Sequence, residues 1–342
     1  KKTPQTMAAL PEKETVSESE SKKESNDDAF WHELEKQNKC QFAAILNTMR
    51  EIDKKEHLTV GKYHDDQQKA DHGLFAYFTM DTKKNEMTRD QLNSYTIMPN
   101  KKIAMPLKQK LVDESAKHSA QIDRSIGCMI GMAIADAVGH PLEFIPITKH
   151  KSCSFHYVDN KYVNELNRFR LQRGQWTDDA SMGLCMADSL LIHSGYNGSD
   201  IRTRFWNWWQ NGYNNAFRHD ASRSASCGLG GNISSSIYSC KFGQVPSARF
   251  IVEHNKEDSG NGSLMRLAPI PIFYQFDSEA ARKYCRESSF TTHPGYIAAE
   301  ACAFVGWLIV QCINYKHARI EDVQSFLGER CEEYTQMLLA EM

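Results

Sequence analysis

The stretch Gly174–His193, GQWTDDASMGLCMADSLLIH, decides the architecture. After Thr177, Asp178 and Asp179 the chain is apolar almost all the way round a helix, through Met182, Leu184, Cys185, Met186, Leu190 and Leu191. A helix apolar on every side belongs inside a helical core. Its start has a different chemistry. Thr177 suits an N-cap, and two acids in the first turn complement the helix dipole. Yet a start that is partly buried with its helix makes adjacent carboxylates costly unless a cation compensates them. Oxygen-only donors suit a hard divalent ion rather than zinc. Capping and metal binding are both open, and compatible.

Upstream, Ile122, Ile126, Ile130, Ala133, Ile134 and Ala137 form an apolar stripe at helical spacing, and Gly127 and Gly131, four apart, permit close approach of a second helix. Downstream, Phe205, Trp206, Trp208 and Trp209 read as core aromatics with their polar edges near the rim. A last strong helix is expected from Gly295 to about Asn314. Alternating strand patterns are almost absent from Ile122 onward, so the expected class is all-α. The domain is assigned to residues 118–342. Ahead of it, residues 1–28 are a Glu/Lys/Ser-rich tail too polar to fold. Residues 29–117 read as an extended arm with an amphipathic helix over 29–52.

Composition excludes several functions. Lys plus Arg number 41 against 43 Asp plus Glu, which gives no basic excess for nucleic-acid binding. Ten scattered cysteines with no CxxC spacing read as buried free thiols in a reducing compartment, and Cys128, Cys185, Cys302 and Cys312 fall inside apolar helical patterns. The apolar run Ala301–Ile313 is too short to cross a bilayer, and no signal peptide is legible. The expectation is an intracellular, cytoplasmic protein with no membrane partner. The chain opens on Lys1 rather than Met, which is read as a segment of a longer product.

Candidate chemistry gathers at four joints between helices. In ADAVGHPLEF, residues 135–144, Gly139 can take the left-handed cap conformation and Pro141 stops the helix, so Asp136 and Glu143 flank a tight turn. The second joint is Thr177-Asp178-Asp179. In DSGNGSLMR, residues 258–266, glycines let backbone approach a ligand and a helix start offers N–H groups to a phosphate, while Pro269 and Pro271 keep that helix short. A plain turn explains the same loop. A further glycine joint, Gly228 to Asn232, is a weaker signal. In SSFTTHP, residues 288–294, His293 stands just outside a helix that Pro294 begins, as a loop residue or a ligand contact.

Taken in order, Gly-His-Pro-Leu-Glu, Trp-Thr-Asp-Asp, Gly-Asn-Gly-Ser-Leu-Met-Arg and Thr-His-Pro resemble the ADP-ribosylglycohydrolase family, from Ile122 to Cys312. The resemblance implies a compact orthogonal multi-helix domain that removes ADP-ribose from modified side chains, or opens related ADP-ribose linkages, with two Mg²⁺ ions in a cleft. By resemblance Thr177, Asp178 and Asp179 are ligands of one ion, and Glu143 lies near the second ion and the attacking water. Gly260, Asn261, Gly262 and Ser263 hold the diphosphate, and His293 lines the cleft. The expected partner is ADP-ribose or an ADP-ribosylated protein. Two departures stand out. Ala180 replaces the family's Thr, and the C-terminal Asp-x-Asp-Thr motif, which supplies further metal ligands, is absent. Both the missing motif and the missing Met lead to the expectation of a C-terminally incomplete domain. The alternative is a catalytically inactive ADP-ribose reader or scaffold subunit, docked through the N-terminal arm.

Overall fold

The computed structural model describes residues 109, 113, 119–143, 169–172, 174–217, 226–240, 246–252, 260–317 and 320–341, all within the unit Ile45–Met342. The tail of residues 1–28 and, apart from residues 109 and 113, the arm of residues 29–117 with its helix lie outside them. Among the described residues the fold is all-α, with eight α-helices, two 3-10 turns and no strand.

Helix α1 (Ala120–Gly139) runs into the 3-10 turn His140–Leu142. Helix α2 (Asp178–His193) is the central element, with Met182, Cys185, Met186 and Leu190 inaccessible to solvent. It packs on α3 (Gly198–Asn211), whose Ile201, Phe205 and Trp208 recur at helical spacing on one buried face. Asn197 caps α3 by accepting from Asp200 N–H at 3.0 Å, and Gly212 ends it with φ of 71°, a left-handed geometry that favours glycine. Trp206 and Trp209 lie against this core partly buried, as the sequence leads one to expect. Helix α4 (Gly231–Ser239) packs on α3. Pro269 and Pro271 confine α5 to Pro269–Phe273.

Helices α6 (Ser278–Ser289) and α7 (Tyr296–Ile313) pack along each other. Gly306 makes this possible, because a Cβ there would collide with Cys285 of α6. At 18 residues, α7 is longer than the apolar run read from sequence and is apolar enough to span a membrane by composition. Here it is a core helix: ten of its residues are buried, among them Glu300, which is ion-paired to Arg286 of α6. Helix α8 (Val323–Glu341), which sequence reading did not identify, seats Tyr334 against Phe304 and Trp307 of α7, with ring centroids 5.0 and 5.4 Å apart.

Four expectations are corrected. The isoleucine stripe of α1 does not face the core: exposure runs from 36 % at Ile126 to 57 % at Ile134. Polar anchors turn the helix the other way. Arg124 donates to the carbonyls of Cys312, Ile313 and Tyr315 at the end of α7, and Gln121 donates to Asn314 at 3.0 Å. A cation on the free carbonyls of a helix end is favoured by the macrodipole. Gly127 and Gly131 meet nothing within 4 Å of an added Cβ; the close approach is made at Gly183 of α2, which Met132 of α1 overlies. Gly139 is right-handed, φ of −82°, since the chain continues directly into the 3-10 turn. The thiols described are all free, but Cys128 and Cys312 are only half-buried.

Candidate active site

Asp136, on the last turn of α1, organises the site. Its Oδ1 accepts from the Thr177 N–H at 2.8 Å and the Thr177 hydroxyl at 2.7 Å, and its Oδ2 accepts from Ala180 N–H at 2.9 Å. The start of α2 is therefore capped by a side chain from another helix, and Thr177 makes no capping hydrogen bond of its own. Thr177 does stand at the N-cap position, but its hydroxyl donates to Asp136 instead of accepting from the helix. The same capping explains Ala180 in part: its N–H, not its side chain, is used here.

Asp136 thereby sets Thr177, Asp178 and Asp179 at the edge of a cleft of about 920 Å³. Glu143, just after the 3-10 turn, faces the same cleft. Crowded and half-dry carboxylates resist ionisation. Burial, then the charges of Asp179 and Asp136, push the Glu143 carboxyl up to about 7. Burial and then Asp136 push Asp179 up to about 6. Asp178 is raised as well, by burial first and then by Asp179 and Glu143. Its Oδ1 is buried with no hydrogen-bond partner, and lies against Gly228 so closely that any Cβ there would strike it. Gly228 has φ of 89°, so glycine is required for both conformation and space.

An unpartnered buried carboxylate oxygen inside a group of like charges is the environment a cation relieves. The donors Thr177, Asp178, Asp179 and Glu143 are all oxygen, which fits a hard divalent ion in kind. Among the described residues, however, no three His, Cys, Asp or Glu side chains converge closely enough to form a ligand group as they stand.

Backbone supplies another part of the lining. Gly260, Asn261 and Gly262 border the cleft, the last two in a 3-10 turn. Ser263 belongs to the same turn, but its hydroxyl points into the core, where Ser289 at 2.9 Å and Cys302 at 3.4 Å donate to it. His293 stands over this turn: a Cβ on Gly262 would lie 2.9 Å from its Cε1, and one on Gly260 3.5 Å from its Nε2. Sequence reading underrated the joint Gly228–Asn232. Gly228, Gly230, Gly231 and Asn232 line the cleft, with α4 starting there. The density of glycine was the available signal. Asp136 was noticed as an acid near a turn, but its role depends on a helix 41 residues away in sequence.

The family profile of ADP-ribosylglycohydrolases matches residues 117–342. Among curated proteins, the chain is 29 % identical over 201 residues to an ADP-ribosylarginine hydrolase Tri1 of Serratia proteamaculans, covering 57 % of this chain and 49 % of that one. It is 30 % identical over 198 residues to the protein of the same name from Pseudomonas putida, covering 56 % and 47 %. It is 24 % identical over 195 residues to the ADP-ribosyl-[dinitrogen reductase] glycohydrolase of Rhodospirillum rubrum, covering 56 % and 58 %. The chain thus spans about half the length of the curated relatives it matches. These three are hydrolases by name, and they lend no support to a non-catalytic reader or scaffold. Four separated motifs meet in one cleft and the profile runs across all of them, and on that ground the chain belongs to the ADP-ribosylglycohydrolase family.

Proposed function

We propose that this protein hydrolyses the bond between ADP-ribose and a modified protein side chain, arginine in the first instance, and that it requires Mg²⁺. One observation carries the reading: four carboxylates (Asp136, Glu143, Asp178, Asp179) and the glycines of two loops (Gly228, Gly230 and Gly231; Gly260 and Gly262) line a single cleft. ADP-ribose has the matching polarity, with an anionic diphosphate at its centre and, at the ribose carbon that reacts, positive charge that develops as the bond breaks. The names of the relatives support arginine as the acceptor.

The lining glycines let the backbone approach the diphosphate, and the N-terminus of α4 offers unpaired N–H groups beside it. The carboxylates bring negative charge to the developing oxocarbenium ion. Glu143 takes the proton of the attacking water as its oxygen bonds to the anomeric carbon; the C–N bond breaks and its electron pair leaves with the guanidine. Thr177, Asp178, Asp179 and Glu143 would hold the cation. When bound, Mg²⁺ supplies Lewis acidity and fixes ribose hydroxyls and water.

The test is incubation with a protein mono-ADP-ribosylated on arginine, with Mg²⁺ or with a chelator, followed by quantitation of free ADP-ribose. Release that depends on Mg²⁺ is expected. A chain that releases none from arginine, serine or acidic linkages in the presence of Mg²⁺ is not the hydrolase proposed.

A further inference from the structure

His293 is held on its inner side by a chain of two buried groups that the proposed chemistry does not use. Arg266 is wholly buried, with its guanidinium 4.5 Å from the ring of Phe205. One of its nitrogens, Nη2, donates to Thr291 Oγ1 at 3.0 Å and to Thr292 Oγ1 at 2.7 Å. Thr292 Oγ1 in turn lies 2.8 Å from His293 Nδ1. Thr292 is inaccessible to solvent, and the ring of His293 nearly so.

The direction of this chain follows from the donors at its inner end. A guanidinium only donates, so the Thr292 oxygen accepts from Arg266. The Thr292 hydroxyl proton then needs an acceptor. Among the described contacts of Thr292, His293 Nδ1 is the partner that remains. If Nδ1 carried the proton instead, the Thr292 oxygen would receive two donors and its own O–H would be left buried and unmade, which is the costly arrangement. Protonation of both ring nitrogens is opposed as well: burial, then the charge of Arg266, hold the imidazolium form down to a pKa of about 3.

We propose that Arg266 and Thr292 are positioning residues that lock His293 as the neutral Nε2–H tautomer, so that it presents a hydrogen-bond donor to an anionic oxygen bound in the cleft beside Gly260. In the proposed function that oxygen belongs to the diphosphate of ADP-ribose, and to that extent the inference rests on that reading. It assigns His293 to donating, and excludes it from serving as a general base or a cation ligand. The Gly262 backbone fits the same scheme, because the space where its side chain would be is filled by the imidazole.

The test is nitrogen NMR of the full chain carrying ¹⁵N-histidine, with His293 identified by its absence from the spectrum of His293→Gln. The wild type is expected to show a pyridine-type Nδ1 and a pyrrole-type Nε2, unchanged from about pH 8 to about pH 5, well above the depressed pKa. Thr292→Val, which keeps shape but not the hydroxyl, should mix the tautomers and weaken ADP-ribose binding about tenfold, the size of one hydrogen bond. Thr292→Ser should restore both. An Nδ1–H tautomer in the wild type, or one in Thr292→Val identical to the wild type, overturns the proposal. The tautomer is read without ligand, so a wild type that fails to bind ADP-ribose would sink the functional reading and leave the tautomer result to stand on its own.

Discussion

At Glu143 a change of one side-chain atom is expected to separate binding from turnover. Glu143→Gln keeps size and hydrogen-bonding capacity but cannot take a proton from water. Turnover on ADP-ribosylated arginine should fall by a factor on the order of a hundred or more, with ADP-ribose affinity changed by less than about threefold. Steady-state kinetics paired with calorimetry measure both, and equal turnover in the variant would remove Glu143 from the mechanism. Protons also govern the cation. Glu143 at about 7 and Asp179 at about 6 hold protons in the cation-free protein where ordinary carboxylates have lost them, and Mg²⁺ must displace these. Apparent Mg²⁺ affinity should therefore rise between about pH 5.5 and about pH 7.5 with proton release, which calorimetry in buffers of different ionisation heat detects. His293 makes stability itself depend on pH. Its pKa falls from 6.5 to about 3 on folding, so the unfolded chain binds the extra proton. Stability from this group is complete above about pH 6.5 and is lost as pH falls towards about 3. The stability advantage of wild type over His293→Gln in urea denaturation should accordingly shrink between about pH 7.5 and about pH 5.

At the scale of elements, the start of α2 depends on α1. Asp136→Ala would leave the N–H groups of Thr177 and Ala180 and the Thr177 hydroxyl unmade in a buried place. A loss of about 2–4 kcal/mol is expected in denaturant unfolding, more than the roughly 1 kcal/mol of an exposed cap, and an effect of only cap size would contradict the trans-capping account. Asp136 shows the limit of what sequence makes legible. The helices around Met182, Phe205 and Cys302 could be read from spacing, because the hydrophobic pattern is local. Which acid caps α2 could not, because Asp136 and Thr177 meet only in the tertiary fold. The isoleucine stripe of α1 failed for a related reason: periodicity reports a face, but Arg124 and Gln121 decide which face packs. Helix α8 was legible in the spacing of Phe326, Tyr334 and Leu338, all buried, and was obscured by the charges between them.

Over the whole molecule, what could be read was the order of the joints, and what could not was their meeting place. Glu143 and His293 lie 150 residues apart and border one cleft, while Ser263, inside the Gly-Asn-Gly-Ser motif, turns away from it. A motif specifies a segment, and burial decides which of its side chains reaches a ligand. The central claim is that this cleft, lined by cation-binding carboxylates and by two glycine loops, accepts ADP-ribose. It is tested most directly by calorimetric titration of ADP-ribose into the protein, with saturating Mg²⁺ and again with a chelator. The account predicts one site per chain with Mg²⁺ and binding at least about tenfold weaker without it. Equal affinity in both conditions, or no binding in either, would contradict it.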